Sequence, residues 1–229
     1  MRWTGQGQRA PSALRWDMRL LPRIARVTFG ASYLSLTASI TPAWGICDGV
    51  PLHVNHDDTF ESGYDSVCGD ADEGAFAEGF TGSGTICGVQ FFYCSSVWYG
   101  TDEVFVFVWE SEGGRPGAIV AMQSGHAENI PNCLGQPMPS AVPITATVAG
   151  EFFAGVSQCS WDWPLLLQAD LNGSASGDQC WINRYGQWSR VHDVWPDGVR
   201  ALSIGVYLEP AQSPAEPDSW GAIKRLFRR

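Results

Sequence analysis

The sequence predicts an all-β protein built as a single antiparallel β-sandwich, and three observations lead to that class. Short segments rich in β-branched and aromatic residues recur along the chain, and clusters of turn-forming residues separate them. The 229-residue chain contains 26 glycines, and no long segment has the apolar period of an amphipathic helix. We expect about eight to ten strands between residues 46 and 210, enough for one domain with a full core.

The segment 102–110, DEVFVFVWE, predicts a central strand. Successive side chains of a strand point to opposite faces, so its valines and its aromatic residues would lie on different sides. Both faces are apolar, which requires cover on both sides. The valines are Val104, Val106 and Val108, and the aromatic residues are Phe105, Phe107 and Trp109.

Other segments predict the remaining strands and turns. The segment 201–209, ALSIGVYLE, alternates cleanly and predicts one half-buried strand. Further strands are expected at 84–93, 143–149 and 150–157. In the turn cluster 111–117, SEGGRPG, we expect Pro116 and Gly117 to make the tight reversal.

The N-terminal segment predicts a secretory signal over residues 1–45. Six arginines precede residue 27, and an apolar, small-residue run then ends in Ala43-Trp44-Gly45, which places cleavage before Ile46. A start at Met18 would leave a shorter signal. Because this run contains several hydroxyl residues and a proline, we expect no stable membrane span.

All seven cysteines follow the predicted cleavage site, which is typical of an oxidising compartment. None forms a CxxC pair, so we expect three disulfides and one remaining thiol rather than a zinc site. The sequence leaves the pairing open, and we favour Cys159 with Cys180 at the base of a long loop. The cysteines are Cys47, Cys68, Cys87, Cys94, Cys133, Cys159 and Cys180.

The predicted domain is strongly acidic. Between residues 46 and 210 there are 21 Asp and Glu, four Arg and no Lys, a net charge of −17. Such a surface repels nucleic acid and anionic membranes, and it leaves neutral, cationic or metal-linked partners. A competing interpretation is that the acidity only keeps the domain soluble.

The order of several motifs resembles a group of uncharacterised secreted bacterial β-sandwich domains. The motifs are DDTFESGY (57–64), GAFAEGFTGSGTICGVQFFY (74–93), VFVFVWESEGGRPGAIV (104–120), VAGEFFAGV (148–156), YGQW (185–188) and RALSIGVYLE (200–209). These domains look like jelly-roll modules of multidomain envelope proteins. The resemblance implies the fold and a secreted or cell-surface location, and it implies no chemistry.

Motifs of catalysis are missing from the sequence, so we expect a protein that is not an enzyme, with an unrecognised catalytic site as the weaker alternative. There is no GxSxG or HExxH motif. His192 and Asp193 are adjacent, and adjacent side chains of an extended chain diverge. The paired carboxylates, Asp102 with Glu103 and Glu110 with Glu112, flank a predicted strand, which is typical of solubilising charges.

The aromatic residues between 161 and 195 are the basis of the predicted ligand site. Indole rings beside amides, acids and guanidinium groups suit a glycan, whose C–H faces stack and whose hydroxyls form hydrogen bonds. The predicted site comprises Trp161, Asp162, Trp163, Tyr185 and Arg190. The glycan or cell-surface polymer hypothesis competes with a purely structural envelope component whose aromatic residues are all buried.

Two acidic clusters are candidate calcium loops, and we expect no other cofactor. The first, DLNGSASGD (170–178), offers oxygens from Asp170, Asn172 and Asp178. The second is DSVCGDADE (65–73). Clusters of this kind are more often plain polar turns rich in Asn, Asp and Gly.

The C-terminal residues form a separate region. Residues 211–219 read as a linker, and residues 220–229, WGAIKRLFRR, read as a basic amphipathic tail that docks to sorting machinery or to the envelope. A frayed terminus is the alternative, because isolated helices of this length are marginal.

Overall fold

The computed structural model describes residues 47–65, 74–96, 101–158 and 165–211. Within these ranges the chain is almost entirely β, as predicted, and no helix is long and apolar enough to cross a membrane. The elements are β1 (Leu52–Val54), β2 (Ser62–Tyr64), β3 (Phe76–Phe91), β4 (Tyr93–Ser95), β5 (Thr101–Ser111), β6 (Pro116–Glu128), β7 (Ser140–Ser157), β8 (Leu165–Asp170), β9 (Cys180–Arg184), β10 (Gln187–Arg190), α1 (Val191–Val194), β11 (Ala201–Leu202) and β12 (Ile204–Pro210). The predicted signal segment and the tail 220–229 lie outside the described residues and stay predictions.

The described strands form two antiparallel sheets that pack face to face. The larger sheet has the order β1-β12-β3-β7-β5-β6, with β9 beside the first part of β3 and β10 beside β9. The smaller sheet has the order β11-β8-β2, and β4 also pairs with β8. Side chains from both sheets meet in the main core, for example Val106 of the larger sheet and Leu167 of the smaller one. The prediction of an antiparallel β-sandwich is therefore confirmed.

Strand β5 is a central strand covered on both faces, as predicted. It lies between β6 and β7. Its three valines are buried in the main core, whereas Phe107 and Trp109 are buried in a second cluster with Phe153. The two clusters lie on opposite faces of the sheet because alternate side chains of a strand point to opposite sides.

The predicted strand 201–209 is divided between the two sheets. Ala201 and Leu202 pair with β8 in the smaller sheet, and Ile204 begins the pairing with β3 in the larger one. Ser203 lies at the junction, where its backbone N–H donates to Gln168 O and its hydroxyl donates to Phe92 O. The apolar face is buried as expected, but the prediction that residues 201–209 form a single strand was wrong.

Two predicted strands, 143–149 and 150–157, are parts of the single strand β7. The chain passes through Gly150 at φ +79°, opposite Gly82 of β3, and the pairing with β3 continues on both sides. Glycine accepts this left-handed conformation without steric cost, so it does not end the strand here.

The reversal between β5 and β6 lies three residues earlier than predicted. Glu112 N–H donates to Arg115 O, and Gly113 and Gly114 both have positive φ. Pro116 and Gly117 instead begin β6.

Among the described residues, two disulfides join Cys47 to Cys87 and Cys94 to Cys133. Cys180 is a buried free thiol, so the favoured pair Cys159 and Cys180 was wrong. Cys180 is the first residue of β9, lies opposite Glu78 of β3 and is buried in the main core. Cys68 and Cys159 lie outside the described residues.

Candidate functional site

A cleft opens beside the middle of β3, where that strand changes partner. Residues Phe76–Glu78 pair with β9, and residues Gly84–Phe91 pair with β12. Between these two pairings, one edge of β3 borders a cleft of about 640 Å³ that extends to β1 and to the loop before β9.

Glu78 is a buried polar residue beside this cleft. It is 1% exposed, and its side chain lies on the face of β3 that packs on the smaller sheet. Oε1 accepts a hydrogen bond from Asn55 Nδ2 at 2.8 Å. Oε2 accepts one from Leu202 N–H at 2.9 Å and one from the Cys180 thiol at 3.2 Å. The carboxyl group therefore connects β3 to β9, to β11 and to the residue after β1.

Burial determines the protonation of this cluster. Removal from water raises the pKa of Glu78 from 4.5 to about 7, although its three hydrogen bonds favour the ionised form. Burial and the neighbouring carboxyl group raise the pKa of the Cys180 thiol well above its ordinary value. Cys180 is consequently a protonated donor at neutral pH rather than a nucleophilic thiolate.

Further polar groups line the cleft on the opposite face of β3. Gln179 lies over Gly79, where a Cβ atom would come within 2.3 Å of Gln179 Oε1, so a larger residue would displace this side chain. This oxygen is buried and accepts no hydrogen bond from a described residue. Glu151 accepts hydrogen bonds from Ser111 Oγ and, at 3.5 Å, from Gln179 Nε2.

The hairpin between β9 and β10 carries Tyr185 at its tip. Tyr185 and Gly186 form a two-residue turn with φ values of +56° and +76°. Such turns favour Asn-Gly, because an aromatic residue at positive φ is strained. The Tyr185 side chain is nevertheless 69% exposed, so no core packing explains the choice of tyrosine.

Next to Tyr185, a groove of about 440 Å³ separates this hairpin from the β5–β6 turn. Glu112, Arg115, Gln187 and Trp188 contribute to its lining. Trp188 is half-buried and its ring meets Trp109 edge to face at 5.2 Å. Glu112 and Arg115 are exposed and form an ion pair at 3.3 Å.

Arg190 lies on the same hairpin but has partners within the protein. Its Nη1 donates to Asp178 Oδ1 at 2.7 Å, and its guanidinium carbon lies 5.3 Å from the centre of the Trp181 ring. Tyr185 is therefore the more available of the two predicted ligand residues that the structure describes. Trp161, Asp162 and Trp163 lie outside the described residues.

The predicted calcium loop contains mainly internal hydrogen bonds. The Asp170 carboxylate is buried and accepts hydrogen bonds from three backbone N–H groups, those of Asp57, Asn172 and Gly173. Asn172 Nδ2 donates to Glu61 at 2.8 Å. Among the described residues there is no group of three or more His, Cys, Asp and Glu that could hold a metal ion. The calcium hypothesis stays a prediction, and the second cluster lies mostly outside the described residues.

From the sequence, His192 and Asp193 were expected in an extended segment, but the structure places them in a short helix. They lie in α1, where His192 Nε2 and Asp193 Oδ1 are 3.4 Å apart and both side chains are at least partly exposed. Neither residue lines the cleft or the groove.

Glu78 is the residue that sequence reasoning missed. Its signal was a single acid within the apolar run AFAEGF, which alternation places on the inner face of a strand. No family model matches the chain, and no curated protein matches it. The resemblance to secreted envelope domains therefore stays a prediction.

Proposed function

We propose that this chain is a secreted, non-catalytic binding or surface module that holds a glycan at the β9–β10 hairpin. The observation that carries the proposal is Tyr185, an exposed aromatic residue in a left-handed conformation. This conformation costs a residue other than glycine, asparagine or aspartate roughly 1–2 kcal/mol. Strained residues concentrate at functional sites, and an exposed one has no packing role to offset its cost.

The chemistry around Tyr185 suits a hydroxyl-rich, neutral ligand. The neighbouring groove combines the half-buried indole of Trp188 with the amide of Gln187 and the charged pair Glu112 and Arg115. Aromatic rings stack on the C–H faces of sugars, and amide and charged groups exchange hydrogen bonds with hydroxyls. The domain charge of −17 disfavours nucleic acid and other polyanions.

The arrangement of carboxyl groups supports binding without catalysis. Glycosidases place two carboxyl groups about 5–9.5 Å apart across one bond. In the cleft, Glu151 pairs with Thr81, three positions beyond Glu78 on β3. Alternation therefore points Glu78 and Glu151 to opposite faces of the sheet.

A secreted or cell-surface location is supported by the two disulfides, which persist in oxidising compartments. The predicted signal at 1–45 and the basic tail at 220–229 agree with export and with docking to the envelope.

A second candidate is a purely structural envelope component. Its support is that Trp109 is 1% exposed and that Trp181 and Trp188 pack against the same cluster. Under this alternative the aromatic residues of the hairpin serve packing alone, and no glycan binds.

The experiment compares the mature domain with Tyr185→Asn on a glycan array. Asn is favoured at this turn position, so the variant should be as stable as the parent, or up to about 1 kcal/mol more stable, while glycan binding is lost. Leu134→Asn is the matched control, because Leu134 is 75% exposed and lies outside the groove. Absence of any bound glycan, or equal binding by Tyr185→Asn and the parent, would contradict the proposal.

A further inference from the structure

Strand β6 is an open edge of the larger sheet. Its 13 residues pair with β5 on one side, and no described strand pairs with the other side. The backbone N–H and C=O groups that point to the open side are a template for a further strand. Edge strands usually block such pairing with charged side chains or prolines. In β6 the proline is the first residue, and residues 117–127 contain no Asp, Glu, Lys or Arg.

Apolar side chains lie along this edge, where Ile119, Val120 and Met122 are 47%, 40% and 51% exposed. In the ladder with β5, Ile119 lies opposite Trp109. Met122 lies opposite Phe107. Directly opposite residues project to the same face, so Ile119 and Met122 extend the cluster of Phe107 and Trp109 to the rim of the sheet. A further strand at this edge would remove this apolar surface from water.

The charges at the two ends of β6 make the edge complementary to itself. Arg115 precedes the strand, Glu128 ends it, and both are exposed. When two copies pair antiparallel about a two-fold axis, Arg115 of each copy comes beside Glu128 of the other. The axis then passes midway between these positions, near Ala121 and Met122. Two domains of net charge −17 would therefore meet along their uncharged, apolar segments.

The existing partner of Arg115 is compatible with this second contact. Its ion pair with Glu112 uses Nη2, and both side chains are exposed. A guanidinium group has five N–H donors, so a second carboxylate can share it.

From these observations we propose that β6 is a dimerisation edge that pairs antiparallel with β6 of a second copy of this chain. Pairing of residues 117–125 in both copies would add roughly eight backbone hydrogen bonds, which is within the range of a typical protein interface. The register of β6 against β5 shifts on both sides of Trp109, and such bulges disrupt part of a ladder. We therefore expect a weak dimer that dissociates on dilution. This proposal does not rest on the glycan proposal.

The test is sedimentation velocity of the exported protein over a range of concentrations, where we expect a monomer–dimer equilibrium. Met122→Lys places like charges together at the centre of the interface and should weaken the dimer by about tenfold or more. Leu134→Lys is the matched control, because it changes the net charge equally at a residue that is 75% exposed and outside β6. It should leave the dimer unchanged.

Exchange of the end charges tests the two-fold pairing. Arg115→Glu and Glu128→Arg should each weaken the dimer several-fold, because each leaves like charges facing one another. The two changes shift the net charge in opposite directions, so a general charge effect would not weaken the dimer in both. The double variant should restore the dimer. Because both positions are exposed, the melting temperature of each variant should stay close to that of the parent.

Three results would overturn the proposal. The first is a monomer at every concentration, as expected if another protein or another segment of this chain covers β6. The second is a dimer that Met122→Lys and Leu134→Lys weaken equally. The third is a dimer that the double charge exchange fails to restore.

Discussion

Replacing Glu78 with glutamine should change how the stability of the domain depends on pH. Glutamine has nearly the same shape, carries no charge at any pH, and keeps an oxygen that can accept from Leu202 N–H. Any altered hydrogen bond gives an offset that is constant with pH. The pH-dependent part of the difference between parent and variant therefore reports the ionisation of Glu78 alone.

The magnitude follows from the raised pKa. Glu78 titrates at 4.5 when unfolded and at about 7 when folded. The folded protein binds the proton of Glu78 more tightly than the unfolded chain does. The stabilisation of the folded state that this proton gives is therefore complete below pH 4.5 and is lost as pH rises to 7. The loss is about 1.4 kcal/mol per pH unit and totals about 3 kcal/mol, which needs no screening correction because Glu78 is buried.

Urea denaturation at half-unit steps from pH 4.5 to pH 8 would measure this difference. We expect the unfolding free energy of the variant to rise relative to the parent up to about pH 7 and then to stay level. His56, whose pKa is lowered by burial, contributes in the opposite sense as pH falls, but it is present in both proteins and cancels. If the unfolding free energies of parent and variant instead stayed a constant distance apart over the whole pH range, the raised pKa of Glu78 would be refuted.

Three further predictions concern export, the thiol and the tryptophans. The exported protein should begin at or near Ile46, and N-terminal sequencing that finds residues 18–45 would contradict the signal prediction. Thiol titration should detect about one thiol, Cys180, after denaturation and none in the folded protein, because Cys180 is buried; rapid labelling of the folded protein would exclude this assignment. If Trp161 and Trp163 form a stacking platform, replacing both with alanine should abolish glycan binding at little cost in stability. A large drop in melting temperature would instead show that they are core residues, because deleting a buried tryptophan ring typically costs about 3–5 kcal/mol.

The sequence was sufficient to predict elements whose pattern is local. Strand β5 has two apolar faces because it is covered on both sides, and that property is visible residue by residue. The burial of Leu202, Ile204, Val206 and Leu208 was visible for the same reason. The crossing of the chain from one sheet to the other at Ser203 was not, because it depends on acceptors at Gln168 and Phe92, which are remote in sequence.

For the candidate site residues too, the sequence revealed the chemical type of the side chain, and the structure revealed its conformation and partners. The aromatic and polar composition of the hairpin region pointed to Tyr185, but the strain of its backbone became apparent only from its φ of +56°. Arg190 was chosen for its guanidinium group, and the structure pairs it with Asp178. Glu78 looked like an ordinary acid within a strand until its long-range neighbours were known.

By itself, the sequence determined the all-β class, the acidic charge and the alternation that places each side chain on one face of a strand. These properties depend on composition and on neighbours within a few residues. Only the tertiary structure decided which cysteines pair, where β3 changes partner and which groups surround Glu78. Its partners Asn55, Cys180 and Leu202 lie 23, 102 and 124 residues away, and only the folding of both sheets brings them within hydrogen-bonding distance.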